Sequence, residues 1–276
     1  MIAVLFLGFS SGLPIMLLYK CLKIWLRREG IDLSTIGYMS WVTLPYSLKF
    51  IWAAFFDRFT PFTIGRRRSW LLITQFGLVL GLIALGLSNP TISLPLVVMV
   101  AMVVCFFSAS QDIVVDAYRR EILPDNELGI GAAIGVYGYR IAMLVASGFG
   151  LWLVDKNTLD LSFHQMFFLM AAIMGVGIAT TLSCQEPPVH GASPKNLKQA
   201  IVDPFLEFFK REGAVVILLF ILFFKIGDAM VGGMLSPFYV DVGFTNAQIA
   251  AVTSGLGFFS TMAGLFVGGA LLFRFG

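Results

Sequence analysis

Long runs of apolar residues, broken only by short polar clusters, dominate this chain. Eight can be placed, at about 2–26, 34–56, 69–88, 92–117, 130–154, 163–183, 213–238 and 247–272. A helix needs ~20 apolar residues to cross the hydrocarbon core of a bilayer, whereas the strands of a membrane barrel alternate apolar and polar positions. None of the eight alternates in that way. Each therefore predicts a transmembrane α-helix, which satisfies its own backbone hydrogen bonds in lipid. Pro14, Pro45 and Pro237 fall within or at the end of their segments, where neighbouring helices can cover the freed backbone groups.

Composition strengthens this picture. Of 276 residues, 58% are apolar and 13% charged, against ~25% charged in a soluble domain. The net charge of +3 comes without a basic domain around the arginines at 66–68, so no nucleic-acid partner is expected. Cys21, Cys105 and Cys184 are isolated and read as small packing residues, not as a disulfide frame or metal site. The opening MIAVLFLGFSSG has no basic n-region and no cleavage signal, and reads as the start of a retained helix.

Loop charge sets the orientation, because cytoplasmic loops are enriched in Lys and Arg. With the N-terminus inside, the inner loops carry Arg58, Arg66, Arg67, Arg68, Arg119, Arg120, Lys195, Lys198, Lys210 and Arg211. The outer loops carry only Arg27, Arg28 and Lys156. The Arg27–Arg28 pair runs against the rule. The longest loop, 184–212, divides the chain into a six-helix bundle (1–184), a linker (185–212) and two further helices (213–276). In the linker, Ser193 and Pro194 open a helix whose stripe of Leu197, Ile201, Phe205 and Phe208 predicts an amphipathic segment on the inner leaflet, interrupted at Pro204. A faint repeat joins the two parts: GIDLSTIG (30–37) and GFTNAQIA (243–250) share Gly30/Gly243 and Ile36/Ile249 at one offset.

Charges inside the spans cost ~2.5–3.5 kcal/mol each on insertion scales, and they usually face a bundle interior or an aqueous cavity. Lys49 lies in the second segment, Asp112 and Asp116 in the fourth, Arg140 in the fifth, and Lys225 and Asp228 in the seventh. Lys20 and Lys23 lie in the outer half of the first. The third and sixth segments have none. Segments 1, 2, 4, 5 and 7 are thus expected to line a polar path, and 3 and 6 to form a lipid-facing support. At 1.5 Å per residue, Arg140 lies about 14 Å from the inner end of its helix, near the midplane. Such a layout suits a solute carrier with a central cavity.

Asp112 and Asp116 are four apart and share one helix face. Asp112 is either a proton-coupling carboxylate or, like Asp116, an anchor for nearby arginines. Arg140 and Lys225 either hold an anionic substrate, with Lys49 as a further cation, or pair with Asp228 inside the bundle. Asp228 is in turn a second candidate for proton coupling. DRFTPFTIGRRR (57–68) is either a plain positive-inside loop or a conformational latch, in which Asp57, Arg58, Arg66, Arg67 and Asp116 exchange ion pairs as bundles rock. The GxxxG spacings at Gly131/Gly135 and Gly264/Gly268 predict close helix packing. His164 and His190 stand alone, and Asp112 and Asp116 are a turn apart and not two residues apart. No catalytic residue, metal or cofactor is assigned, and no enzyme is expected.

Several of these segments resemble the AmpG-type muropeptide permeases of the major facilitator superfamily, across essentially the whole chain. They are LGFSSGLP (7–14), GIDLSTIG (30–37), KFIWAAFFDRFTPFTIGRRRSWLL (49–72), FSASQDIVVDA (107–117), GYRIAMLVASG (138–148), PKNLKQAIVDP (194–204) and FFKIGDA (223–229). The 57–68 loop resembles a lengthened Asp-Arg…Gly-Arg motif of that superfamily. The resemblance implies proton-coupled import of anhydromuropeptides from periplasm to cytoplasm across the bacterial inner membrane. It also implies that Gln111, Tyr139, Tyr19 and Ser108 meet the sugars while Arg140 and Lys225 hold the acid groups. The partners expected are thus a muropeptide, protons and membrane lipid. The family has at least twelve helices and this chain about eight, so a truncated form is expected: a six-helix bundle plus the first two helices of the next. Alternatives are a carrier of another large anionic solute, such as an acyl-CoA, and an inactive remnant.

Overall fold

The computed structural model describes residues 1–155, 159–188, 206–226 and 257–275. Wherever the apolar runs are described they are helical. Helix α1 (Ile2–Arg28) runs unbroken past Pro14 and contains a π turn at Leu17–Cys21. Helices α5 (Arg66–Leu87), α6 (Leu94–Ile122), α7 (Asp125–Leu153) and α8 (Phe163–Ser183) are each long and apolar enough to cross a membrane. Two more, α9 (Ala214–Ile226) and α10 (Gly257–Phe275), adjoin residues outside the description.

The second segment departs from a single helix. It is divided into α2 (Leu33–Tyr38), a 3-10 stretch Met39–Thr43, α3 (Leu44–Leu48) and α4 (Phe50–Arg58). Pro45 explains one break, since it has no amide hydrogen to donate and sits in the first turn of α3. Asp32 starts the segment by accepting from the Thr35 hydroxyl (2.8 Å), the Thr35 amide (3.2 Å) and the Ser34 hydroxyl (3.0 Å). Those bonds, Thr35's first, hold its carboxyl below the usual carboxylate range.

The chain forms two compact units, residues 1–193 with 269–276, and residues 194–268. In the first, α1 and α7 run parallel with their backbones touching. A methyl group added to Gly8 would meet the Gly135 backbone, one on Gly12 the Tyr139 backbone, and one on Gly138 the Leu5 carbonyl. Close approach of this kind is how helices associate in lipid, where apolar surface alone gives no preference for a partner. The expected Gly131/Gly135 pair supplies only part of this seam. Gly8, Gly12 and Gly138 supply the rest, and Gly131 faces the Leu123 side chain. Among the described residues, Gly264 and Gly268 meet nothing within 4 Å.

Helices α5 and α8 are antiparallel and cap one another. Glu186, just past α8, accepts the amides of Arg67 (2.8 Å) and Arg68 (3.0 Å), two otherwise orphaned donors at the start of α5. Arg68 in turn donates to the carbonyls of Thr181 (3.0 Å) and Leu182 (2.9 Å) at the end of α8. A carboxylate at an N-terminus and a guanidinium at a C-terminus both suit the helix dipoles. Arg66, Arg67 and Arg68, expected in a loop before an uncharged third segment, instead form the first turn of α5. Nor are α5 and α8 purely lipid-facing, because the buried Thr181 hydroxyl donates to buried Gln75 at 2.9 Å.

Arg28, one of the two arginines that run against the expected loop-charge pattern, has a structural task. It donates to the Val154 carbonyl at 3.1 Å, just past the C-terminal end of α7, and lies 5.5 Å over the Phe163 ring. Arg27 closes the adjacent turn through the Ile31 carbonyl at 3.2 Å. The amphipathic linker helix, Asp228 and the 243–250 half of the repeat lie outside the described residues.

Candidate functional site

A cleft of about 630 Å³ opens in the first unit, walled by α1, α6 and α7. Its polar lining is Ser11 and Tyr19 from α1, Asp112, Asp116 and Arg119 from α6, and Tyr139 and Arg140 from α7. Ile15, Met16 and Met143 supply apolar surface. The glycine contacts explain why these groups converge. With no Cβ between α1 and α7, Ser11 and Tyr19 come to stand beside Tyr139 and Arg140.

Asp112 is the most connected of them. It accepts from the Ser11 hydroxyl and lies 3.7 Å from the Lys49 ammonium. One residue earlier, Gln111 donates to Ser10 at 2.6 Å, so two consecutive serines of α1 meet two consecutive polar residues of α6. Two further bonds tie the broken second segment to α6: Tyr46 with Ser108 at 2.5 Å, and the Trp52 indole to Ser110 at 3.1 Å. Lys49 thus reaches Asp112 from the second segment, with its side chain partly exposed, and is not among the residues lining the cleft.

Arg140 lines the cleft with no carboxylate within ion-pair distance among the described residues. Asp116 lines it too, bonded to Arg119 one turn on at 3.0 Å. Of the residues expected to meet sugars, Gln111 and Ser108 are fully buried and bonded inside the bundle, and neither lines this cleft. They sit next to or one turn from Asp112 in sequence, but a helix turns successive residues to different faces. Lys225 belongs to the second unit, on α9.

A second ionic cluster lies at the opposite end of α6 from its start at Leu94. Glu121 binds both Arg66 (3.1 Å) and Arg67 (2.9 and 2.5 Å). Arg67 also reaches Asp57 at 2.7 Å, and Arg66 donates to the Asp57 carbonyl at 3.0 Å. The expected latch members Asp57, Arg66 and Arg67 therefore meet, but Asp116 does not join them because it is turned into the cleft. Arg58 lies 5.4 Å over the Phe59 ring instead. Nothing in the spacing of Glu121 and Glu186 along the sequence announces these roles. Three arginines opening a helix were the available signal, since partly buried guanidiniums demand carboxylates. Among the described residues, no group of His, Cys, Asp or Glu is placed to hold a metal ion.

Long apolar helices around a charged cleft define a multi-pass membrane protein. The chain belongs to the Major Facilitator Superfamily, whose profile matches residues 2–276, and within it to the AmpG-type permeases. It is 44% identical to the anhydromuropeptide permease of Escherichia coli K12, over 98% of this chain and 55% of that protein. It is 38% identical to an uncharacterized protein of Haemophilus influenzae, over 98% of this chain and 64% of the other. It is 35% identical to a protein named putative transporter AmpG 4 of Rickettsia felis, over 98% and 67% respectively. The chain spans about half the length of the first of these relatives.

Proposed function

We propose that the protein serves the import of anhydromuropeptides from periplasm to cytoplasm, driven by protons, in the recycling of peptidoglycan. The membrane would be the bacterial inner membrane, with the N-terminus on the cytoplasmic side as the loop charges favour. One observation carries this reading. The part of the chain that aligns with the Escherichia coli permease, 98% of it, contains a cleft in which Arg140 meets no carboxylate among the described residues. Such a guanidinium suits the acid groups of a muropeptide, with Tyr19 and Tyr139 for its sugar rings.

Asp112 is the coupling group in this scheme. Its contact with Lys49 depends on charge, so protonation would release Lys49 and with it one tie between the second segment and α6. Asp228 would be a second coupling carboxylate and Lys225 a further substrate cation. The Asp57–Arg67–Glu121 cluster would act as the latch, remade at each cycle.

Uptake of labelled anhydromuropeptide by proteoliposomes holding the protein tests the reading. Uptake should follow an inward proton gradient, collapse with a protonophore, and be lost in Asp112→Asn. Uptake that ignores the gradient, or survives in that variant, would contradict it.

A further inference from the structure

Arg67 belongs to two sets of contacts at once. Its guanidinium serves Glu121 and Asp57, while its backbone amide donates to Glu186, just past α8. The Arg68 amide takes the other Glu186 oxygen at 3.0 Å. A carboxylate shared by two amides at a helix N-terminus makes charge-assisted bonds, and these fasten the start of the linker to the first turn of α5. Helix α6 holds the same two partners. Tyr118 donates to the Gln185 carbonyl at 2.9 Å, and Glu121, one turn on, holds Arg66 and Arg67. Gly65 lets the carboxylate come so close. Its φ of +113° lies in the region that favours glycine, and a methyl group there would run into the Glu186 side chain.

We propose that Glu186 is a clasp that couples the linker to the ionic cluster through Arg67. While Asp57 and Glu121 hold the guanidinium, the first turn of α5 presents its amides to Glu186 and the linker stays fastened. When the cluster opens, that turn shifts and the start of the linker is released. As a device of transport the clasp rests on the cluster acting as the latch.

The test uses the protein in lipid nanodiscs with a nitroxide at Gln185→Cys, an exposed position, in a Cys184→Ser background; Cys21 and Cys105 are buried. The spectrum of this parent should report an ordered backbone. Glu186→Gln and Gly65→Ala should each mobilise the label and speed hydrogen exchange at the Arg67 and Arg68 amides about tenfold or more, as for loss of a hydrogen bond to a charged group. Glu121→Gln, which leaves Glu186 untouched, should free the label as well, and Asp57→Asn, the milder lesion, should free it in part. A label that stays ordered in both cluster variants, or is already mobile in the parent, overturns the proposal. Uptake by the same variants separates clasp from latch. If Glu121→Gln loses uptake while the label stays ordered, the clasp falls and the latch stands. If the label is freed while uptake is unchanged, the latch falls and the coupling stands.

Discussion

Ser11 of α1 gives its hydroxyl hydrogen to Asp112 of α6, across the cleft wall. The bond fixes which oxygen of Asp112 faces Lys49 and leaves the carboxylate at the lining instead of within the packed seam. Ser11→Ala should therefore leave the fold intact, since the Gln111–Ser10 bond and the glycine seam with α7 still hold α1 in place. Its effect should fall on coupling: proton-driven uptake should drop roughly tenfold, the order expected for one hydrogen bond to a charged group. Counterflow exchange without a gradient should change little. Equal losses in both assays would make Ser11 a plain packing residue.

The cluster at the end of α6 predicts an order of importance. Glu121 serves two guanidiniums and its side chain is 22% exposed, whereas Asp57 serves one and is 46% exposed. Breaking a buried pair from one side costs ~3–5 kcal/mol, and an exposed one ~0–1 kcal/mol. Glu121→Gln should thus destabilise the protein by about 2–3 kcal/mol and Asp57→Asn by less than about 1 kcal/mol. Thermal unfolding in detergent reads the difference. Asp57→Asn proving the more damaging would reverse the account of this cluster.

The parallel seam of α1 and α7 predicts a contrast between glycines. A methyl group on Gly138 would meet backbone atoms of Leu5 and Phe9, which cannot rotate away, while one on Gly148 would meet nothing within 4 Å. Gly138→Ala should cost about 1–3 kcal/mol, the usual range for overpacking, and Gly148→Ala almost nothing. Melting temperatures of the two variants, side by side, check this. Similar values would mean that α1 and α7 are not in backbone contact.

Much of this architecture was legible in the residues, and the exceptions share a cause. The sixth segment, read as 163–183, is the helix Phe163–Ser183, and the third, read as 69–88, is Arg66–Leu87. Length and hydropathy place a span along the chain because the bilayer thickness is fixed. The same signals say little about direction around the helix axis. That is why Gln111 was read toward the cleft although it faces Ser10, and why Asp116 was read toward the arginine loop although it faces the cleft. Long-range pairs such as Glu186 with the Arg67 amide, or Arg28 with Val154, need the fold before they can be seen. The broken second segment was only half visible, since Pro45 signals one interruption and nothing in the pattern signals the 3-10 stretch before it.

Binding of an acidic anhydromuropeptide and of its methyl ester, to wild type and to Arg140→Ala in nanodiscs, tests the central claim most directly. The account predicts that wild type favours the free acid about tenfold or more, and that Arg140→Ala binds acid and ester alike. An acid preference that persists without the Arg140 guanidinium, or one absent from wild type, would contradict it.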